Sequence, residues 1–434
     1  MDNKLRHLYG KNIAILGLGL ENASLLEWLA KKKIPAQITI CDHREPEQLP
    51  TIKNKSVLWQ TGKKANQELE KFDILFRSPG WPLNDPNLNK AKRLNKVITS
   101  PINLFLSLCP TKNTIGVTGT KGKGTTATLI YKILKAAKKR AFLGGNIGIA
   151  PFSFLNKIKS NDFIVLELSS FQLEDLSSSP RIAVITNFYK EHLSPADPNN
   201  PNYHKNLSSY WQAKLKIASR PNNRYLVVNE KLNKKISISK LKNKKVFFSA
   251  SPLETKLAGN YNQENVAAAI RVAEILKISP TTYLSVIKNF TNLEHRLKLV
   301  AKKDGIAFYD NSFSTTPEST ILDINSFTKP LILIAGGADK GADFKKLAQA
   351  IKAQTKNLIL FPGPGTNKIL AALKQVKYSL ANLSTASNML DAVSIAKSLA
   401  KSGDIVLLST GCASFGIFKN YKERGNLFNK YVKS

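Results

Sequence analysis

The sequence predicts an α/β protein of parallel sheets covered by helices and divided into more than one domain. Short apolar runs alternate with helical patterns along the whole chain, the order expected of β-α-β units. At 434 residues the chain exceeds one ordinary domain, so two or three are expected. Hydrophobic residues make up 42% of it, enough for real cores.

The first segment opens with a strand, "NIAILGLG", then a helix, "NASLLEWLAKKK", then the strand "QITICD". That last strand ends at Asp42, 23 residues after Gly19, the spacing of a dinucleotide-type unit. Gly17 and Gly19 would bring backbone N–H groups close to a phosphate, although Asn22 stands where a third glycine would complete the fingerprint. A second segment begins near residue 102, with strands "FIVLELSS", "RIAVITNF" and "RYLVVNE". A third follows "FTNLEHRLKLV", with strands "IAFYDNS", "PLILIAGG", "NLILFPG" and "DIVLLSTG". Proline and asparagine cluster in "SPADPNNPNYHKN", residues 194 to 206, which reads as an exposed loop.

Composition narrows the function classes. Cys41, Cys109 and Cys412 are far apart, which excludes a disulfide framework or zinc knuckle and suits a reducing compartment. No apolar run reaches the ~18 residues that span a membrane, and the N-terminus lacks an apolar signal core, so a cytoplasmic protein is expected. Against 30 acidic residues stand 65 Lys plus Arg, a net charge of +35. The lysines are scattered through every segment and form no single stripe. They read as a basic surface around an enzyme of anionic substrates, with only non-specific nucleic-acid binding at low salt.

The chemistry gathers around "TIGVTGTKGKGTT", residues 114 to 126. A strand leads in, and a helix with an apolar face at Leu129, Ile130, Ile133 and Leu134 leads out. Glycines expose N–H groups there, the helix N-terminus attracts anions, and Lys123, expected on an exposed loop, reaches phosphate oxygens. The spelling departs from the common phosphate loop: Gly119 and Gly122 are close together, and Gly124 occupies the hydroxyl position. Thr125 or Thr126 can still ligate magnesium. Downstream, Glu167 ends an otherwise apolar strand, where a carboxylate is costly unless it meets a cation such as the Mg²⁺ of bound ATP. His192 of "YKEHLS" is placed at the equivalent edge of the next strand.

"TGTKGK", "ELSSFQLE", "NFYKEHL", "YWQAKLKI", "NYNQENVAAAI", "EHRLKLV", "GGADKGADF" and "CASFGIFKNYKERGNLF" occur in order. Together they resemble the Mur ligase family over essentially the full chain. "SSFQLE" and the C-terminal motif point to its D-glutamate-adding member, and "GKGT" is also similar to the folylpolyglutamate synthases. The resemblance implies a Rossmann-like N-terminal domain (1–101) for a UDP substrate, a central P-loop ATPase-type domain (102–292) and a Rossmann-like C-terminal domain (293–434) that closes on ATP and binds D-glutamate. It implies ATP as co-substrate, two Mg²⁺ ions, UDP-N-acetylmuramoyl-L-alanine and D-glutamate as partners, an acyl-phosphate intermediate, and a monomer.

Residue by residue, the resemblance gives Lys123, His192 and Lys214 catalytic roles, Lys214 as a carbamate. Gly119, Thr120, Lys121, Gly122, Lys123, Gly124, Thr125, Thr126, Asn262, Asn265 and Arg296 would contact ATP; Thr125, Glu167, His192 and Lys214 would serve the metals. Leu20, Glu21, Asp42, Arg44, Ser78, Gly80, Asn146 and Gln172 would bind the UDP substrate, and Lys340, Ser414, Phe415 and Tyr421 would receive D-glutamate. Three departures stand out: Gly124 for a hydroxyl, Asn22 for a glycine, and Asn311-Ser312-Phe313 where the family shows Asp-Ser-Lys. Another ligase of the same type is the nearest rival. A nucleic-acid-binding ATPase would rest on the +35 charge alone and lacks helicase motifs or an arginine finger.

Overall fold

The computed structural model describes residues 2–52, 56–193, 201–234, 236–259, 261–339 and 341–434. The chain divides into two compact units, residues 1–249 with 264–286, and residues 250–263 with 287–434. Among the described residues, no helix is long and apolar enough to cross a membrane.

In the first unit, strands β1 (Asn12–Leu16), β2 (Gln37–Asp42), β3 (Val57–Thr61), β4 (Ile74–Arg77) and β5 (Val97–Thr99) form a parallel sheet ordered β3-β2-β1-β4-β5. β1 reads "NIAIL" because both its faces are covered; only Asn12 is exposed. Helix α1 (Leu20–Lys31) buries Leu25, Leu26, Trp28 and Leu29, and α2 (Pro86–Arg93) and α3 (Pro101–Leu108) each begin with proline at the first turn. The chain leaves β1 toward β2 on one side and β4 on the other, so a crevice opens at the carboxyl end of β1.

The same unit holds a second parallel sheet of β6 (Thr114–Thr118), β7 (Ala141–Gly145), β8 (Phe163–Glu167), β9 (Ile182–Ile185), β10 (Tyr225–Asn229) and β11 (Lys244–Phe248). Its order is β11-β10-β9-β6-β8-β7, so β6 occupies the corresponding switch point. Helices α4 (Lys123–Ala136), α5 (Ser170–Leu173) and α6 (Leu207–Ser219) carry the chain between its strands. One apolar core runs from Ile13 and Phe105 of the first sheet's layer to Ile164, Leu166 and Ile217 of the second's.

The second unit carries β12 (Lys298–Lys303), β13 (Ile306–Asp310), β14 (Leu331–Gly336), β15 (Thr355–Phe361), β16 (Leu383–Thr385) and β17 (Ile405–Leu408). They are ordered β12-β13-β17-β14-β15-β16, antiparallel only between β12 and β13. Separate apolar cores cover its two faces.

Each strand expected from an apolar run is present. Strands such as β11 ("KKVFF") and β12 ("KLVAKK") were not expected, because edge strands are half-exposed and need no uniform apolar run. The loop expected at 194–206 is corrected in part. Residues 194–200 lie outside the described residues, but Asn202 and His204 are buried. His204 Nε2 is 2.9 Å from Ser170 Oγ and its ring stacks on Phe171, so these two residues pack inward while Tyr203, Lys205 and Asn206 stay exposed as expected.

Candidate active site

The loop after β6 is fixed by its two tightest glycines. A Cβ on Gly119 (φ +150°) would lie 1.9 Å from Thr186 Oγ1, and one on Gly122 (φ +78°) 1.9 Å from Asn265 Oδ1. No other residue fits either place. The strand-end residues after β9 fasten the loop: Thr186 Oγ1 donates to the Lys121 carbonyl at 2.6 Å, Asn187 Nδ2 donates to it at 3.1 Å, and the Lys121 N–H donates to Asn187 Oδ1 at 2.8 Å. Lys123 is not the exposed loop lysine expected. It is half-buried in the first turn of α4, donating to the carbonyls of Gly119 (3.1 Å) and Thr120 (3.0 Å).

Lys214 reaches the same place from α6. Ala213, Leu215 and Ile217 beside it are buried, and its own side chain is 1% exposed. Its Nζ donates to the Gly119 carbonyl at 2.8 Å and lies 4.4 Å from the Tyr210 ring centroid. Two amines therefore converge on one carbonyl oxygen. Burial first, then Lys123 and Lys121, holds the Lys214 ammonium well below its ordinary pKa, against the pull of Glu191. His192, with a left-handed backbone (φ 61°), has its ring between Phe171 and Tyr210. Burial and the neighbouring lysines hold its pKa below the ordinary value, which favours the neutral, metal-ligating imidazole.

Sequence reasoning passed over Glu191, although it is adjacent to His192. Its Oε1 pairs with Lys121 Nζ at 2.9 Å and its Oε2 is 3.8 Å from His192 Nε2. Against its burial, Lys121 and His192 hold its carboxyl down to about 2, so it is an anion among four basic groups.

Glu167 is 1% exposed; its Oε1 accepts from Asn146 Nδ2 at 2.8 Å, and its Oε2 is buried with no partner among the described residues. That orphaned oxygen suits a cation as its partner. Thr126 Oγ1 donates to Asn265 Oδ1 at 3.3 Å, which favours Thr125 as the metal-side hydroxyl. Among the described residues, no group of three or more His, Cys, Asp or Glu side chains could hold an ion alone. A magnesium ion here would need phosphate oxygens as well, its usual habit.

The crevice at β1 gathers all eight residues expected for the UDP substrate, in a cavity of about 400 Å³. Asp42 accepts from Arg44 through Nε (2.9 Å) and Nη2 (2.8 Å), and from the Leu18 amide at 2.7 Å. Gln172 Nε2 donates to Glu21 Oε1, and His43 stacks on Trp81 with centroids 4.7 Å apart. Asn22 is fully buried and donates to the carbonyls of Leu16, Gly17 and Phe76, tying α1 to β1 and β4. The departure from glycine there thus has a structural cause. Arg77, also passed over, is buried and clamps Asp175 at 2.9 Å and Glu174 at 3.3 Å beside this cavity.

In the second unit Arg296 lies over Phe313, 3.9 Å from the ring centroid, and Tyr421 meets Phe313 edge-on at 5.0 Å. The residue found in place of a lysine is a platform for the arginine. Ser414 is buried and Phe415 exposed on the stretch between β17 and the helix Tyr421–Lys433. Asn262 Nδ2 donates to the Ala258 carbonyl at 2.6 Å. Lys340 lies outside the described residues.

The family descriptions "Mur ligase MurD-like, N-terminal domain", "Mur ligase middle domain" and "Mur ligase, glutamate ligase domain" match residues 11–100, 117–251 and 295–412. The chain belongs to the Mur ligase family. It is 35% identical over 462 aligned positions to the UDP-N-acetylmuramoylalanine--D-glutamate ligase of Clostridium tetani, covering 99% of this chain and 98% of that one. With the enzyme of the same name from Clostridium kluyveri it shares 33% identity, covering 97% and 96%. Its fold is similar to that of the UDP-N-acetylmuramate-alanine ligase MurC of Thermotoga maritima, at 17% identity, TM-score 0.60 and coverage of 98% and 99%. MurF from Acinetobacter baumannii gives a TM-score of 0.59 at 13% identity, covering 99% and 92%.

Proposed function

We propose that this Mur ligase joins D-glutamate to UDP-N-acetylmuramoyl-L-alanine, driven by ATP, in peptidoglycan precursor synthesis in the cytoplasm. The observation that carries the reading is the end-to-end similarity, at 33–35% identity, to ligases of that name. The alanyl carboxylate attacks the γ-phosphorus of ATP and ADP leaves; the D-glutamate amine then displaces phosphate from the acyl phosphate and forms the amide.

The first step brings an anion to a polyanion, and the residues after β6 answer that repulsion. Lys123, with the N–H groups from Gly119 to Thr126, holds the phosphates. Thr125, Glu167, His192 and Lys214 would hold two Mg²⁺ ions, whose charge withdraws electron density from the phosphoryl group. Lys214, a buried amine, is supported as a carbamate: its neutral nitrogen adds CO₂, forms a C–N bond and releases a proton, and the cation becomes an anion. Asn262, Asn265 and Arg296 serve the nucleotide. The cavity residues Leu20, Glu21, Asp42, Arg44, Ser78, Gly80, Asn146 and Gln172 serve the UDP substrate. Lys340, Ser414, Phe415 and Tyr421 serve D-glutamate, within a division at residues 1–101, 102–292 and 293–434, in a monomer.

Phosphate release with UDP-N-acetylmuramoyl-L-alanine and ATP, measured with one amino acid at a time, tests this. D-glutamate alone should support turnover. Turnover with L-alanine, L-lysine or diaminopimelate but not D-glutamate would contradict it.

A further inference from the structure

We propose that His204 is a positioning residue for the phosphoryl-transfer step: its ring and backbone hold His192 in the place from which His192 serves the metal. The proposal rests on the assignment of His192 to a Mg²⁺ ion. His192 needs to be held. Its backbone is left-handed (φ 61°), a conformation that costs a residue with a side chain and persists only where the surroundings impose it. A metal-ligating histidine is usually aimed by a hydrogen bond from its second ring nitrogen. Glu191, the carboxylate beside it, has Oε2 3.8 Å from His192 Nε2, too far for that bond.

His204 supplies the constraint from further along the chain. Its backbone N–H donates to the His192 carbonyl at 2.8 Å. The two rings that flank His192, Phe171 at 5.1 Å and Tyr210 at 5.7 Å between centroids, flank His204 as well. The His204 ring lies parallel to Phe171 (4.8 Å, interplanar angle 6°) and against Tyr210 (5.0 Å, 37°). Without the imidazole, both flanking rings would lose a face on which they rest. His204 is itself fixed: it is buried, Nε2 is 2.9 Å from Ser170 Oγ, and Nδ1 is 3.3 Å from Glu174 Oε1. Glu174 is held in turn by Arg77 Nη1 at 3.3 Å and Asn202 Nδ2 at 3.2 Å. On the other side, Tyr210 Oη is 3.1 Å from Thr120 Oγ1 of the loop after β6, and Lys214 Nζ sits 4.4 Å from the Tyr210 ring centroid. The rings that His204 supports thus touch His192, Thr120 and Lys214 together. The rival account is a histidine that merely fills the space between α5 and α6.

Two space-filling substitutions separate the accounts, since both lose the contacts to Ser170 and Glu174 but only one keeps a ring. His204→Phe preserves the stack and His204→Leu removes it. Mn²⁺ binding to the full-length protein with a non-hydrolysable ATP analogue, read by the EPR signal of the free ion, reports the metal without turnover. His204→Leu should weaken, about tenfold, the Mn²⁺ site that His192→Ala loses, and lower kcat by about ten- to a hundredfold, the scale for residues behind a metal ligand. His204→Phe should stay within about threefold of wild type on both counts, because the aromatic stack survives. His204→Met, ringless but flexible enough to repack, should match His204→Leu and keeps the test open if the leucine variant does not fold. In the His192→Ala background, His204→Leu should cost less than about twofold further in kcat, because nothing is left to position. Wild-type Mn²⁺ affinity in the ringless variants, equal losses in His204→Phe and His204→Leu, or full additivity with His192→Ala would overturn the proposal. Wild-type metal binding and turnover in His192→Ala would overturn the reading of His192, and the proposal with it.

Discussion

Two crevices of the first unit stand at the same topological position, the carboxyl end of a central parallel strand, β1 in one and β6 in the other. They hold charge differently. At β1 the cation Arg44 is matched to Asp42 and Arg77 to Asp175 and Glu174, and among the described residues no cation pairs with Glu21. At β6, Lys121, Lys123 and Lys214 crowd one loop, and Glu191 pairs with Lys121. The comparison teaches that one sheet topology can serve two anionic ligands by opposite means. The β6 crevice gathers basic side chains where a polyanion would be received. The β1 crevice holds its cations against carboxylates of the protein itself.

The hardest way to break this contrast is to remove surplus charge from β6. Lys123→Ala should lower ATP turnover by roughly a hundredfold to a thousandfold, the scale for a group aimed at developing charge. Because Lys123 is half-buried and holds two carbonyls, its melting temperature must be measured alongside. Wild-type turnover in that variant would remove the loop from the chemistry.

A smaller effect sharpens the role of the single anion. Glu191 has its folded pKa near 2 against an ordinary 4.5, so its ionised form favours folding. The stabilisation is fully present above pH 4.5 and is lost as the pH falls through about 2. Glu191→Gln should therefore cost about 3 kcal/mol of unfolding free energy at pH 7, and the gap to wild type should close in acid. A gap independent of pH would show that Glu191 acts by packing rather than by charge.

What the sequence revealed follows from physics that is local along the chain. "NIAIL", "FIVLE" and "IAVI" are buried on both faces and so read as strands without context. The eight residues that line the β1 cavity were named through the family resemblance, whereas the glycines of the β6 loop were legible because close phosphate approach demands them. Glu191 was not: a carboxylate beside a histidine in a polar stretch looks like any solvated charge until the fold brings Lys121 to it. His204 hid in a run of proline and asparagine whose composition reads as surface. Nor could Phe313 be understood before Arg296 was seen on its ring. Residues whose work depends on a partner far along the chain are the ones that sequence leaves silent.

The central claim is that the β6 crevice converts one of its crowded cations into an anion. Burial and its neighbours hold the Lys214 ammonium well below its ordinary pKa, which favours the neutral amine that takes up CO₂. Carbon-13 NMR of the enzyme equilibrated with labelled bicarbonate reads this most directly. A protein-bound carbamate resonance should appear in wild type and vanish in Lys214→Ala, together with roughly a hundredfold of the rate. Acetate or formate should restore part of that rate by replacing the missing carboxylate. Full activity in Lys214→Ala, or an active wild-type enzyme with no carbamate resonance, would contradict the account.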